Sequence, residues 1–260
     1  MKNALFVIDA QNDFCLPTGT LSVPGALDDM KRLSTFLSKN KKHIENVTLT
    51  MDTHYVLDIS HPTFWQDKNG NFPKPFTLIT SSDVDNGVWT PRFRPSLAIK
   101  YIHDLEVNGE FPHVIWPEHC IMGSTGAAFV DVLMDSVKEW QRDTLNFYSV
   151  HTKGISPLSE HFGIFEANVP ISNDPSTQLN QNLITALNKY DNIYFSGEAK
   201  SHCVATTLKQ AMKFPDLAKK FIILEDCMSN VPTFEHLADS IYDDAKNMGI
   251  HFAKSTDINL

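Results

Sequence analysis

Short β-rich runs alternate with helical patterns along the whole chain, and this alternation limits the fold more than any other feature. Six near-continuous apolar runs indicate strands buried on both faces: 4–9 (ALFVID), 46–52 (NVTLTMD), 113–117 (HVIWP), 145–151 (LNFYSVH), 192–197 (NIYFSG) and 220–226 (KFIILED). Apolar stripes at helical spacing occupy 25–40, 97–108, 127–142, 181–189, 202–213 and 232–247. The sequence therefore predicts an α/β fold, with a doubly wound, mostly parallel six-stranded sheet and helices on both faces.

One interval interrupts this alternation. Residues at about 62–112 contain clusters of Pro, Gly and Asn, such as DKNGNFPKP and PRFRP, which are typical of turns and loops. We interpret the interval as a long insertion that packs over a pocket or forms a subunit interface. The chain is then one domain of residues 1–260 with this insertion, because its length is suited to a single core.

The charge balance and the cysteines restrict the class of protein. There are 22 basic and 31 acidic side chains, for a net charge of −9, which argues against nucleic-acid partners because phosphate binding needs clustered Lys and Arg. The N-terminus lacks the apolar stretch of a signal peptide, and no run is long enough to span a bilayer. Four scattered cysteines show no disulfide spacing. We expect a cytoplasmic protein that does not bind membranes. The sequence does not decide whether it forms a homo-oligomer.

Polar side chains follow the ends of five predicted strands. Asp9, Asp52, His119, Lys153 and Cys203 each come at or just after a strand. In an open parallel sheet, reactive groups gather at the carboxyl ends of the strands. We therefore expect these side chains to meet at one edge of the sheet.

Asp9, Lys153 and Cys203 form the first candidate site. A thiol with an ordinary pKa of about 8.5 needs a base or positive surroundings to act as a nucleophile near neutrality. Cys203 stands where a strand passes into a helix, whose N-terminus favours a thiolate and offers N–H groups to an oxyanion. Asp9 would take the thiol proton, and Lys153 would keep the developing charges compatible. A buried, inert cysteine is the alternative for Cys203 considered alone.

A second candidate site is a metal centre. Asp52 and His54 lie two residues apart in MDTH, His119 lies in WPEHC, and His61 is a further candidate ligand. Mixed imidazole and carboxylate ligands suit a divalent metal, zinc first, with iron or manganese as alternatives. Scattered surface histidines are the competing interpretation.

Aromatic residues flank both candidate sites. Phe14 follows Asp9 by five residues and Trp116 precedes His119 by three, so their faces could hold a flat ring between them. Core packing is the alternative for each. GSTG at 123–126 lacks the Lys-Ser/Thr ending of a phosphate-binding loop, and we interpret it as a turn.

Five ordered segments together resemble the isochorismatase-like cysteine hydrolases, and within them the nicotinamidase branch. The segments are VIDAQNDFCLPTGTLSVPGA, MDTH, WPEHC, HTKG and GEAKSHCV. Two segments depart from the family pattern. The family usually reads Asp-Trp-His-Pro where this chain has Asp-Thr-His-Tyr, and Glu198 stands where the family usually has an apolar residue.

The resemblance implies a role for each residue. Asp9 deprotonates Cys203, which attacks a small amide to form a thioester, and Lys153 steadies the ion pair. A cis peptide between Glu198 and Ala199 directs the N–H groups of Ala199 and Cys203 into an oxyanion hole. The implied metal is held by Asp52, His54 and His119 and orients a pyridine ring between Phe14 and Trp116.

The expected function is hydrolysis of nicotinamide to nicotinate and ammonia by a metal-containing cysteine amidohydrolase. One alternative is hydrolysis of another small amide, with a carbamoyl or ureido group. An alternative of another class is a non-catalytic metal-binding scaffold with an incidental cysteine. Isochorismate-cleaving members of the family work without the cysteine nucleophile, so the intact set of Asp9, Lys153 and Cys203 disfavours that branch.

Overall fold

The protein, described here as a computed structural model of residues 1–260, is built around a six-stranded sheet. In chain order its strands are β1 (Asn3–Ile8), β2 (Ile44–Asp52), β7 (Ser149–Lys153), β8 (Asn192–Gly197), β9 (Phe221–Leu224) and β10 (His251–Ala253). The spatial order is β10-β9-β8-β1-β2-β7, and every neighbouring pair is parallel. The order reverses between β1 and β8, so the switch point lies at the centre of the sheet. The predicted fold class is confirmed.

Helices cover both faces of this sheet. The principal ones are α2 (Ala26–Asn40), α5 (Asp131–Thr144), α6 (Gln181–Leu187), α7 (Ala205–Ala211) and α9 (Asp239–Asn247), with short α1 (Asn12–Cys15) and α8 (Pro215–Ala218). Helices α2 and α5 pack on one face, where Leu5 and Val7 of β1 point. Helices α6, α7, α8 and α9 pack on the other, against Phe6 and Ile8. Alternate residues of one strand thus enter two separate cores, which explains why β1 is apolar at every position after Asn3.

One predicted strand belongs elsewhere. The run 113–117 does not enter the central sheet: only β6 (His113–Val114) is a strand, and it pairs antiparallel with β4 (Leu78–Ile79). The sixth central strand is instead β10, which the sequence prediction missed. A short apolar run has the same sequence pattern in a small side core as in a central sheet, so periodicity cannot separate the two.

Several element boundaries also differ from the prediction. The strand expected at 145–151 begins at Ser149, because Leu145 and Phe147 are exposed. The helices expected at 127–142 and 232–247 begin at Asp131 and Asp239. The helix expected at 202–213 is preceded by a π-helical turn at Lys200–Val204.

The interval 62–112 builds a third apolar core. It contains the two-stranded pair of β3 (Trp65–Gln66) and β5 (Thr90–Pro91), strand β4, and helices α3 (Ser81–Asp85) and α4 (Pro95–Val107). Phe64, Trp65, Tyr101 and Ile102 are buried together there. The division of the chain into one domain with an insertion stays a prediction. No helix has both the length and the apolar character needed to cross a membrane.

Candidate active site

The carboxyl ends of four adjacent strands place the candidate residues. Asp52 and Lys153 are paired in register at the ends of β2 and β7. Asp9 directly follows β1, and the loop that carries Cys203 directly follows β8. The reversal in strand order between β1 and β8 opens the sheet at this edge, as expected for α/β proteins.

Gly197 allows β1 and β8 to approach each other at this edge. It has a φ of 130° and lies opposite Ile8 in the parallel register. A Cβ atom at this position would lie 2.1 Å from the carbonyl oxygen of Ile8. Only glycine fits, because both the backbone conformation and the close approach exclude a side chain.

Lys153 connects the three residues of the first candidate site. Its Nζ lies 2.9 Å from Oδ2 of Asp9, 2.9 Å from Oδ1 of Asp52 and 3.5 Å from Sγ of Cys203. All four side chains are buried, with Lys153 only 1% exposed. The structure therefore brings Asp9, Lys153 and Cys203 into direct contact and adds Asp52 to the same ion-pair network.

Strand β2 also fixes the orientation of Asp9. The Thr50 hydroxyl donates a hydrogen bond to Oδ1 of Asp9 at 2.5 Å, and it accepts one from the Asp9 backbone N–H at 3.0 Å. Asp9 has a positive φ of 45°, a conformation uncommon for residues other than glycine. Such backbone conformations cluster at functional sites.

The charges of this network shift the pKa values of its members. Burial would lower the pKa of Lys153, but Asp52 and Asp9 outweigh it and raise that pKa well above its usual value. Burial raises the pKa of Asp9, partly opposed by Lys153. Burial also raises the pKa of Cys203 well above its usual value, again opposed by Lys153. Lys153 thus stays charged, and Asp9 is a stronger base than an exposed aspartate.

The loop between β8 and α7 presents Cys203. The peptide bond between Glu198 and Ala199 is cis, as the family resemblance implied. Residues Lys200–Val204 then form the π-helical turn, in which the Val204 N–H donates to the carbonyl oxygen of Ala199 at 3.2 Å. Cys203 is 5% exposed and lines the same cavity as Ala199.

Asp52, His54 and His119 form a second cluster beside the first. One donor atom from each residue lies within 4.8 Å of the others. Oδ2 of Asp52 lies 3.1 Å from Nε2 of His54 and 3.7 Å from Nε2 of His119. The segment of His119 reaches this position through backbone bonds rather than through the central sheet, since the His54 N–H donates to the carbonyl oxygen of Cys120 at 3.1 Å.

The residues behind these imidazoles leave their metal-facing nitrogens free for an ion. Nδ1 of His54 lies 3.1 Å from Oδ2 of Asp58, and Nδ1 of His119 lies 2.8 Å from the carbonyl oxygen of Pro117. Such partners fix the ring orientation of ligating histidines. Two imidazole nitrogens and a carboxylate oxygen, all buried and convergent, fit a divalent cation with positions left for other ligands.

His61 lies near this cluster but is not a member of it. Its Nε2 is 3.3 Å from Nδ1 of His119, which is the nitrogen that faces away from Asp52. Its Nδ1 is 3.0 Å from the carbonyl oxygen of Tyr55. In this arrangement His61 packs behind His119, and its role as a further ligand stays a prediction.

The two aromatic candidates border a narrow cavity beside Cys203. Phe14 and Trp116 both line it, together with Asp52, His119 and Ala199. The ring of Phe14 lies 5.5 Å from that of His119. The cavity therefore joins the thiol, the histidine–carboxylate cluster and two aromatic surfaces.

Comparison with known proteins relates the chain to nicotinamidases. No family model matches the chain. The nicotinamidase of Saccharomyces cerevisiae is 25% identical over 222 residues, which cover 85% of this chain and 85% of that protein. The crystal structure of yeast nicotinamidase bound to the inhibitor nicotinaldehyde superposes with a TM-score of 0.67 and 21% identity, covering 98% of this chain and 100% of that one. The resemblance to the nicotinamidase-like hydrolases is confirmed.

A protein of the same fold contains a bound ion. The crystal structure of the pyrazinamidase of Pyrococcus horikoshii in complex with zinc has a TM-score of 0.58 and 20% identity, covering 98% of this chain and 99% of that one. At this identity the likeness shows the fold alone.

Five residues that sequence reasoning did not single out also line this cavity. They are Leu21, Glu160, Phe162, His202 and Val231. The ring of His202 lies 5.2 Å from that of Trp116 and 5.5 Å from that of Phe162. Burial lowers the pKa of His202 to about 4, so it is a neutral part of an aromatic wall.

Glu160 is the one acid in this cavity wall that has no basic partner. Its Oε2 is buried without a hydrogen-bond donor, and burial raises its pKa to about 7. Its only sequence signal was its place in SEHF, seven residues after Lys153, within a loop that carries no motif. His202 had the stronger signal, since it directly precedes Cys203.

Proposed function

We propose that this protein is a cysteine amidohydrolase that converts nicotinamide and water to nicotinate and ammonia. One observation carries the proposal: the carboxylate of Asp9, the amine of Lys153 and the sulfur of Cys203 are in contact and buried. A hydrolase needs such a group of base, cation and nucleophile, and a protein that only holds a metal does not. The sequence relation to yeast nicotinamidase supports the choice of substrate.

In the proposed mechanism, Asp9 takes the thiol proton of Cys203 while Lys153 keeps both groups in place. The thiolate attacks the amide carbon, and the N–H groups of Ala199 and Cys203 receive the resulting oxyanion. Asp9 returns its proton to the amide nitrogen, the carbon–nitrogen bond breaks and ammonia leaves. Water, deprotonated by Asp9, then hydrolyses the thioester, so that nicotinate departs and the thiol is restored.

The remaining residues position the substrate in this proposal. Phe14 and Trp116 lie on the cavity wall and offer flat apolar surfaces to a pyridine ring. An ion held by Asp52, His54 and His119 would offer an open coordination position to the ring nitrogen, which orients the ring rather than activating the amide.

We propose zinc as the ion, and the cytoplasm as the location of the protein. Zinc is supported by the imidazole-rich donor set and by the zinc-bound pyrazinamidase relative. The cytoplasm is supported by four free cysteines, all of them buried, since free thiols persist in reducing compartments.

Ammonia release from a panel of amides tests the function. We expect rapid release from nicotinamide and pyrazinamide, slow release from benzamide, which lacks the ring nitrogen, and none from ureido compounds. A chelator should slow ammonia release from nicotinamide more than ammonia release from benzamide. Equal turnover of benzamide and nicotinamide would contradict the orienting role of the ring nitrogen, and preferred hydrolysis of a ureido compound would favour the alternative substrate class.

Cys203→Ala separates the amidase from a metal-binding scaffold. We expect turnover to fall by at least about 10³-fold, because no nucleophile remains, with circular dichroism and bound metal unchanged. Cys227→Ala is the matched control, since Cys227 is also a buried free cysteine but lies outside the group of Asp9, Lys153 and Cys203. Full activity of Cys203→Ala would exclude the thioester mechanism.

A further inference from the structure

The nucleophile loop, here defined as residues 198–203, begins with a buried carboxyl group. Glu198 is 0% exposed and immediately precedes Ala199. Its Oε2 accepts a hydrogen bond from the Ser229 backbone N–H at 3.3 Å, and its Oε1 has no donor. No other glutamate in the chain is as completely buried.

Asp29 of α2 faces this carboxyl group within hydrogen-bonding reach. The other contacts of Asp29 are already assigned: Oδ1 pairs with the guanidinium of Arg32, and Oδ2 accepts a hydrogen bond from the Ser229 hydroxyl at 2.5 Å. Arg32 therefore neutralises Asp29, and Glu198 has no cation of its own. Two carboxyl groups in contact cannot both be ionised in a buried site, so a proton lies on Glu198 and is donated to Asp29.

The groups that face Glu198 from other elements agree with a neutral side chain. Cys15 of α1 and Tyr242 of α9 lie within electrostatic range, and neither carries a positive charge. Burial raises the pKa of Glu198 well above its usual value, and the charge of Asp29 raises it further.

The same region is attached to the nucleophile loop at two further points. The Lys200 N–H donates to the carbonyl oxygen of Ser229 at 2.8 Å, and the Val231 N–H donates to the Ser201 hydroxyl at 3.1 Å. These two hydrogen bonds connect the loop only to residues 229–231, whereas the Glu198 side chain also contacts α2. Glu198 therefore links the nucleophile loop to both the 229–231 segment and a core helix.

We propose that Glu198, as a neutral carboxylic acid, is a positioning residue that holds the nucleophile loop against α2 and residues 229–231. It does not touch the substrate cavity, so it acts through Ala199 and Cys203, which do. This role rests on the proposed amidase function. It gives a role to a carboxyl group at a position where the resembling family usually has an apolar side chain.

Two substitutions at Glu198 test the role. Glu198→Gln keeps a donor for Asp29 and an acceptor for Ser229, so we expect kcat and KM close to those of the unaltered protein. Glu198→Ala removes both bonds, and we expect kcat to fall by about 10²-fold with little change in KM, because the loop is displaced by a fraction of an ångström to about an ångström. Glu225→Gln is the matched control, since Glu225 is exposed and the chemical change is the same.

A second measurement does not depend on amidase activity. The unfolded chain releases the Glu198 proton near pH 4.5, the ordinary value, whereas the folded protein retains it to a higher pH. This contribution to the free energy of unfolding is therefore complete below about pH 4.5 and is lost as the pH rises through the folded pKa. We expect the free energy of unfolding, measured with urea, to decline less steeply with rising pH in Glu198→Gln than in the unaltered protein. Glu225→Gln should decline as steeply as the unaltered protein.

The outcomes separate the two proposals. Unchanged kcat in Glu198→Ala, or an equal loss in Glu198→Gln and Glu198→Ala, would overturn the positioning role. If the free energy of unfolding depends on pH in the same way in Glu198→Gln and in the unaltered protein, Glu198 is not a neutral acid in the folded protein. If no amide in the panel is hydrolysed, the amidase proposal fails, while the slope still decides the protonation of Glu198. Should Glu198→Ala not fold, Glu198→Leu takes its place, since it also removes both bonds but fills more of the buried volume.

Discussion

Lys153 shows how one side chain can hold a site together. Its amine contacts two carboxylates and a thiol while it is almost fully buried. A buried cation of this kind gives little net stability, since desolvation offsets the attraction, but its removal leaves the partner charges unpaired. Removing Lys153 should therefore lower the stability of the fold as well as the proposed activity.

Lys153→Met should test both roles. We expect the free energy of unfolding to fall by about 3–5 kcal/mol, because Asp9 and Asp52 lose their cation, and nicotinamide turnover to be abolished. Urea unfolding and ammonia release measure the two effects. Lys100→Met is the control: its exposed pair with Asp104 should contribute less than about 1 kcal/mol. Equal stability losses in the two variants would contradict the buried network.

The sequence contained the principal residues of the site but not their surroundings. Asp9, Lys153 and Cys203 could be found because each lies at or shortly after the end of a recognisable strand. Glu160 and Phe162 could not, because they lie in a loop without periodicity, and only folding carries that loop to the cavity. The place of a residue in the sequence does not by itself show which residues lie beside it in the folded protein.

At the scale of elements, the spacing of β1 and β8 controls the site, because Asp9 and the nucleophile loop leave these two strands side by side. The strand prediction succeeded for both, since each contains an uninterrupted apolar run, at 4–8 and 193–195. It failed for 113–117, yet His119 lies beside His54, because the His54 backbone is hydrogen-bonded to those of Cys120 and Met122. The place of His119 at this edge was thus predicted from an incorrect strand.

Gly197→Ala should disturb this spacing. The added methyl group would meet backbone atoms of Ile8, so we expect a loss of stability well above the cost of about 1–2 kcal/mol for a positive φ alone, together with lower turnover. Thermal unfolding and ammonia release measure both effects. Gly109→Ala is the control, because Gly109 also has a positive φ of 65° but has no atoms within 4 Å of the added Cβ. Similar effects in both variants would show that backbone strain, not strand spacing, is responsible.

At the scale of the whole molecule, buried neutral histidines connect the fold to acid sensitivity. His113 is 3% exposed, lies between the rings of Trp65 and Tyr101 and is bonded through Nε2 to the carbonyl oxygen of Ile59 at 2.9 Å. Burial lowers its pKa to about 4. The third core, to which these neighbours belong, must therefore exclude a proton that the unfolded chain accepts.

His113→Gln should change the pH dependence of unfolding. Because the unfolded chain takes up this proton near pH 6.5 and the folded protein only near pH 4, the stability due to neutral His113 is lost as the pH falls across that window. We expect the free energy of unfolding of the unaltered protein to fall by about 3 kcal/mol more than that of His113→Gln between these limits. His236→Gln makes the same substitution at an exposed histidine and is the control. Parallel slopes for all three proteins would show that His113 is not held neutral.

The 62–112 segment touches the cavity wall through two rings. Phe76 lies 5.9 Å from Trp116, and Phe111 lies 5.9 Å from His202, as measured between ring centroids. The support behind the cavity wall and the residues around Cys203 thus come from separate stretches of the polypeptide. A change at either phenylalanine would shift Trp116 or His202 while Asp9, Lys153 and Cys203 keep their own contacts, so the shape of the cavity can vary separately from the proposed chemistry.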